Sequence, residues 1–130
     1  MAQLHVELVS PERKVWSGDA HMVVAKTTDG DIGVLPNHVP VLGTFAEGSV
    51  LRVLDEQNNE LLRAAVHGGF LSVADNHVSV LAESAELGDE VDVEAARSAY
   101  ERGLASLEDE DARAEAKRAQ ARLRAAGVEV

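Results

Sequence analysis

The chain has 130 residues, 45% of them apolar, and a formal net charge of −11 from 12 basic and 23 acidic side chains. A length of this order makes one domain, or one domain and a short appendage, able to bury about two-thirds of its unfolded surface, and the apolar fraction excludes a disordered chain. The acidic balance excludes binding that rests on neutralising the phosphates of nucleic acid or anionic lipid, while the lack of Cys excludes disulfides, thiolate catalysis and Cys-based metal sites.

Residues 1–10 alternate polar and apolar side chains, without an apolar run of the signal-peptide kind. No stretch approaches the ~18 apolar residues of a membrane span. Leu4, Val6 and Leu8 alternate with His5 and Glu7, the period of a half-buried strand. Met22–Thr27, Val50–Leu54, Leu61–Val66, Phe70–Val73 and Val78–Ala82 are further strand candidates. Asp55–Asn59 and Ala74–Asn76 have the composition of turns between such runs. Residues 1–88 therefore read as an antiparallel β-sandwich or barrel.

Residues 89–130 differ: they contain no Pro and are dominated by Ala, Glu, Asp and Arg. Val93, Ala96, Tyr100, Leu104 and Leu107 fall within about 80° on a helix, and so do Ala112, Ala116, Ala119, Leu123 and Ala126. Two amphipathic helices are expected, over 93–107 and 110–126. The acidic run 108–111 favours the N-terminus of the second helix, and Gly127 suits its C-terminal end. The link contains neither Gly nor Pro. A hairpin and one continuous helix of about 34 residues, roughly 50 Å long, both remain open. An Ala stripe buries little area, so weak docking on the sheet is expected. Arg113, Lys117 and Arg124 fall within about 40° of one another, a basic stripe suited to an acidic partner. The alternative is a solvated face with local pairs, such as Glu115 with Arg118 or Arg122.

Catalytic motifs are missing. There is no phosphate-binding G-x-x-x-x-G-K-[ST], no G-x-S-x-G and no G-x-G-x-x-G. The histidines at 5, 21, 38, 67 and 77 lack metal-ligand spacing. Asp29, Asp31, Asp89 and Asp92 lie where turns and helix caps account for them. With aromatics at 3%, base-stacking platforms are not expected. The isolated chain reads as non-catalytic, with no cofactor and no metal.

Two segments stand out: Asp29-Gly30-Asp31-Ile32-Gly33-Val34-Leu35-Pro36-Asn37-His38-Val39-Pro40, and His67-Gly68-Gly69-Phe70-Leu71-Ser72-Val73, whose paired glycines break or bulge a strand. With the opening Leu4–Pro11, the run Val78–Glu86 and the helical tail, they resemble in order the epsilon subunits of bacterial F-type ATP synthases. The resemblance implies a non-catalytic rotor subunit of the central stalk that couples proton flow to ATP synthesis at sites on other subunits. It implies an α+β chain, with a β-sandwich (1–88) on the gamma subunit and the c-subunit ring, then a helical hairpin (89–130). Asp31, Ile32, Leu35, Pro36, Asn37 and His38 would face the ring. The tail could reach the beta subunits and inhibit ATP hydrolysis, with Arg113, Lys117 and Arg124 as the inhibitory stripe. The implied location is peripheral, on the cytoplasmic face of the bacterial cell membrane, without insertion into it. Some relatives bind ATP through [IL]-D-x-x-R-A. Here Val93-Glu94-Ala95-Ala96-Arg97-Ser98 keeps only Arg97 of the signature's polar pair and ends on Ser, so nucleotide binding is not expected. The competing reading is a free-standing β-sandwich binding module with a dimerising helical tail.

Overall fold

The computed structural model describes residues 2–130. Eight strands come first: β1 (Leu4–Val9), β2 (Lys14–Ala20), β3 (Met22–Thr27), β4 (Gly30–Val34), β5 (Val41–Thr44), β6 (Ser49–Leu54), β7 (Glu60–Ala74) and β8 (His77–Leu87). A 3₁₀ turn (Gly88–Glu90) leads to helices α1 (Val93–Leu104) and α2 (Glu110–Ala125). Strands at Met22–Thr27 and near Leu4, Val50 and Val78 match the sequence reading, whereas β2, β4 and β5 escape it. Each of these three carries a glycine (Gly18, Gly30 with Gly33, and Gly43), which dilutes the apolar alternation that marks a strand.

The strand order is β2-β1-β8-β7-β6-β3-β4, with β5 also paired to β7. All pairs are antiparallel except β1 with β8, which is parallel. The two expected strands 61–66 and 70–73 are one strand. Gly68 and Gly69 bend it, at φ of 72° and 111°, without ending it. Before the bend β7 pairs with β6; after it, with β5; β8 follows it through both halves. The two halves of the sheet thus face each other as the layers of a sandwich. A Cβ at Gly69 would run into the Leu81 carbonyl and lie 2.8 Å from the Ala82 Cα, so only glycine fits.

Inward positions alternate along each strand and fill the space between the layers. Leu4, Val6 and Leu8 of β1, Val23 of β3, Leu51 and Val53 of β6, Leu71 of β7, and Val78 and Val80 of β8 have no exposed surface. Phe45 is also buried there, and Trp16 packs against the cluster from its edge. In the β6–β7 turn, Asp55 Oδ1 accepts hydrogen bonds from the amides of Gln57 and Asn59, both at 2.9 Å. In the β7–β8 turn Asp75 and Asn76 have positive φ, 50° and 64°. Two left-handed residues in succession match the twist of a tight hairpin.

The tail is a hairpin. Helix α1 begins at Asp92, whose carboxylate accepts from the Ala95 amide at 3.1 Å; α2 begins at Asp109, which accepts from the Asp111 amide at 2.9 Å. A side-chain cap in mid-link stops a single helix from propagating, because Asp109 is held in extended backbone. Helix α1 consequently ends at Leu104, and Leu107 lies in the turn. Of the first apolar stripe Ala96 is buried, Val93 and Tyr100 are half-buried, and Leu104 and Leu107 are exposed.

Helix α2 lies between α1 and the sheet, and both its faces are apolar. The stripe of Ala116, Ala119 and Leu123 is buried, and Gly103 of α1 comes so close that an added Cβ would sit 2.6 Å from the Ala116 Cβ. About 180° round the helix, Ala121 and Ala125 are buried against Ala65 of β7, with Val50 beside them. The Ala stripe expected to dock on the sheet packs on α1 instead, and the opposed face of Ala121 and Ala125 makes the close contact with the sheet. Smallness is what allows it. A Cβ on Gly48 would strike the Lys117 carbonyl, and one on Gly88 the Ala125 carbonyl. The helix backbone thus rests on glycine at both ends of its contact with the sandwich.

No helix residue belongs to the inter-layer core. A fragment of residues 1–88 should therefore unfold in one cooperative thermal transition, retaining the near-ultraviolet signal of Trp16. A molten fragment would show that the hairpin supplies part of the core.

Candidate functional site

Three surfaces carry candidate functional residues. The first is the tip after β4. Val34 is buried and ends the strand; Leu35 follows, 47% exposed, and Val39 is 71% exposed. The His38 amide donates to the Leu35 carbonyl at 3.1 Å, closing a turn, and the His38 Nδ1 donates to the Val39 carbonyl at 2.7 Å. Asn37 has a φ of 69°, and its amide donates to Asn76 Oδ1 at 2.6 Å, while Asn76 Nδ2 donates back to Asn37 Oδ1 at 3.3 Å. The tip is thereby fastened to the β7–β8 turn. Leu35, Pro36, Asn37 and His38 come together as expected from the sequence. Asp31 and Ile32 do not join them, since both are strand residues of β4. Ile32 is half-buried against the core. Asp31 lies opposite Lys26 in the β3–β4 ladder and lines a cleft of about 510 Å³ with Arg52, Arg63 and Arg124. That cleft adjoins α2, away from the tip.

The second surface was not singled out from the sequence. On the outer face of the β5–β7–β8 layer, Thr44, Phe70 and Leu81 are cross-strand neighbours, continued by Val9 of β1. Phe70 is 52% exposed, Leu81 56% and nearby Leu42 71%. The sequence signal was parity: Leu71 and Val73 point inward, so an apolar residue at 70 must point outward. A row of large apolar side chains on a solvent face marks a protein interface more often than chance.

The third surface is the tail. Arg113 donates to the Leu107 carbonyl at 2.6 Å and Arg124 to the Val130 main-chain oxygen at 2.8 Å; both are exposed, as is Lys117. The opposite flank of α2 holds the helix down: Arg118 pairs with Glu47 at 3.0 Å and Arg122 with Glu86 at 2.8 Å. Glu115 pairs with Arg102 of α1 at 2.9 Å, replacing the local pairing with Arg118 or Arg122 expected from the sequence. Each such pair contributes only about 0.2–1 kcal/mol, less than the ~1.5–3 kcal/mol of burying Leu123. The charges select the docked register and the apolar faces hold it. Arg97 is exposed on α1 and does not line the cleft of about 560 Å³ between hairpin and sandwich. Among the described residues no group of three or more His, Asp or Glu is arranged to hold a metal ion, and no helix is long and apolar enough to cross a membrane.

The tip is exposed but its backbone is specified. Leu35→Ala and His38→Ala should each change stability by under about 0.5 kcal/mol. Asn37→Val should cost at least about 1 kcal/mol through its left-handed backbone, and Asn37→Gly should recover part of that. Thermal melts of the three variants test the ranking, and equal losses at 35, 37 and 38 would contradict it.

Residues 3–88 match the family model of the ATP synthase delta/epsilon chain β-sandwich domain. The chain is 53% identical over 129 residues to the ATP synthase epsilon chain of Thermobifida fusca, covering 98% of this chain and 94% of that one. It is 53% identical to that of Streptomyces griseus, covering 98% of each chain, and 45% identical to that of Mycobacterium avium, again covering 98% of each. In fold it is similar to a chain of the Euglena gracilis mitochondrial ATP synthase OSCP/F1/c-ring structure, at a TM-score of 0.77 and 24% identity, over 98% of this chain and 81% of that one. A second fold match, at 0.56 and 18%, is to a chain of the Tetrahymena thermophila central stalk and c-ring, over 68% of this chain and 69% of that one. With similarity running through sandwich and hairpin alike, the chain belongs to the ATP synthase epsilon-chain family, as a subunit of that complex that is not itself catalytic.

Proposed function

We propose that this chain is a rotor subunit of a proton-translocating ATP synthase, seated on the gamma subunit by its sandwich and against the c-subunit ring by its tip. The observation that carries the reading is the full-length similarity to ATP synthase epsilon chains, hairpin included. The geometry supports it. An apolar row at Leu42, Phe70 and Leu81 gives a rigid sheet face for an apolar partner, and the Leu35–Val39 tip gives a second contact pinned by Asn37 and Asn76. In this reading the protein is peripheral at the cytoplasmic face of the cell membrane. Torque passes through the sandwich, which suits a layered sheet whose strands cannot slip without turning every side chain to the wrong face. Asp31 and Ile32 are left out of the ring contact, Asp31 by its position beside α2 and Ile32 by its packing.

Two experiments test the seat and the tail. Phe70→Asp with Leu81→Asp should leave the isolated protein folded, since both positions face solvent, yet abolish its retention in the purified complex. Retention of the double variant would refute the seat. The second concerns hydrolysis. Arg113, Lys117 and Arg124 are exposed, and acidic segments of the beta subunits could meet them after the hairpin opens. Three exposed pairs of about 0.2–1 kcal/mol each amount to about 0.6–3 kcal/mol, roughly 3- to 150-fold in a two-state equilibrium. Replacing all three by Ala should speed ATP hydrolysis with little effect on synthesis, and added salt should weaken the parent's inhibition. Unchanged hydrolysis after deletion of residues 89–130 would leave the tail a structural role only.

A further inference from the structure

His67 belongs to neither the sandwich core nor the interfaces proposed above. It lies on β7 immediately before the Gly68–Gly69 bend, opposite Ser84 of β8. Its ring lines the cleft between hairpin and sandwich, together with Glu86, Arg102, Glu115, Arg118 and Arg122. The Nδ1 atom is buried and has no hydrogen-bond partner. Burying a polar ring atom without a partner carries a cost, and burying it charged costs more.

Every element packed round this ring contributes charge. The β5–β6 loop brings Glu47, β8 brings Glu86, α2 brings Arg118, Arg122 and Glu115, and α1 brings Arg102. The acids are already engaged: Glu47 with Arg118, Glu86 with Arg122, Glu115 with Arg102. A proton on His67 would put a cation beneath two arginines and compete for the two carboxylates that fasten α2 to the sandwich. The affinity of the ring for protons is held below the ordinary histidine value, first by burial and then by Arg118 and Arg122, with Glu47 and Glu86 opposing.

We infer that His67 is an acid-sensitive latch: the neutral ring permits the hairpin to dock, and its protonation releases α2 from the sandwich. The sign follows from linkage. Release exposes the ring to water, where it binds a proton with ordinary affinity, near 6.5. Docking is at full strength above that pH and weakens as pH falls below it. Histidine is the side chain whose charge ordinarily changes between about pH 7.5 and 5.5, and His67 is the histidine that lines this cleft. In the assembled rotor, acidification on the side of the enzyme holding this chain would free the tail to act as the hydrolysis brake. That consequence rests on the function proposed above, whereas the latch itself does not.

The test uses the full isolated chain. Because the sequence has no Cys, Thr28→Cys and Ser98→Cys place two spin labels at exposed positions, one on the sandwich and one on α1. The parent should show a second, longer label distance that grows from pH 7.5 to 5.5, by no more than tenfold in ratio per pH unit for a single proton. His67→Gln, close to the neutral ring in polarity, should abolish that growth. A parent whose distances do not change, or a His67→Gln variant that keeps the response, overturns the latch. Nuclear magnetic resonance guards against a misfolded variant. In the parent His67 should titrate below ordinary histidine. In Gly48→Ala, which forces α2 off its seat, it should return to the ordinary value, as reciprocal linkage demands. A His67 that titrates alike in both overturns the inference. Hydrolysis assays of the tail deletion report on the brake alone, so the two ideas fail separately.

Discussion

The bend at Gly68–Gly69 is the constraint on which the other features depend. Folding one sheet upon itself requires two strands to turn the corner together, and their backbones must then approach closely. Gly69 meets the Leu81 carbonyl where any side chain would collide. Because β7 and β8 pass through the corner unbroken, both layers share the same two strands and cannot slide apart. The bend also aims the surfaces. Beyond it the outer face carries Phe70 and Leu81; before it the outer face carries Ala65, on which α2 rests. One corner thus divides the sandwich into an exposed apolar face and a face covered by its own tail.

The tail is held by a different logic from the core. The sandwich is closed by Leu and Val filling a dry interior, whereas α2 is held by closeness: alanines on two faces, and glycines where its backbone touches the sheet, the 3₁₀ turn and α1. Close approach of small residues buries little area per residue. The contact is specific in register yet separable from the sandwich without opening the core. The ion pairs of Arg118 and Arg122 fit that division, since they fix position and contribute little energy.

Legibility in the sequence followed the range of the forces involved. Alternation at Leu4-Val6-Leu8 and at Val78-Val80 reported strands because burial repeats every second residue. The helices of the tail were legible from their 3.6 period, and the resemblance carried by Asp29–Pro40 and Gly68–Val73 pointed to the family. What escaped depended on contacts distant in sequence. Nothing local showed that Asp31 would lie beside Arg124 rather than with His38, or that Ala121 and Ala125 would face Ala65. Whether the link would turn was undecidable from helix propensity, because the answer lay in a single cap, Asp109. The apolar row at Phe70 was within reach, since the parity of β7 alone places it outward.

The parallel pairing of β1 with β8 has a consequence for how the chain acquires its shape. The first strand finds its inner neighbour only in residues 77–81, more than seventy positions downstream. Until those residues leave the ribosome, β1 has only β2 paired beside it, and nothing joins that pair to the rest of the sheet. Pairings of such sequence separation pay loop-closure entropy in advance and make folding slow. Closure of the sandwich thus waits for synthesis of β8. The seat of α2, made from β6, β7 and Gly88, is complete only then, so the tail emerges last onto a surface already built to receive it.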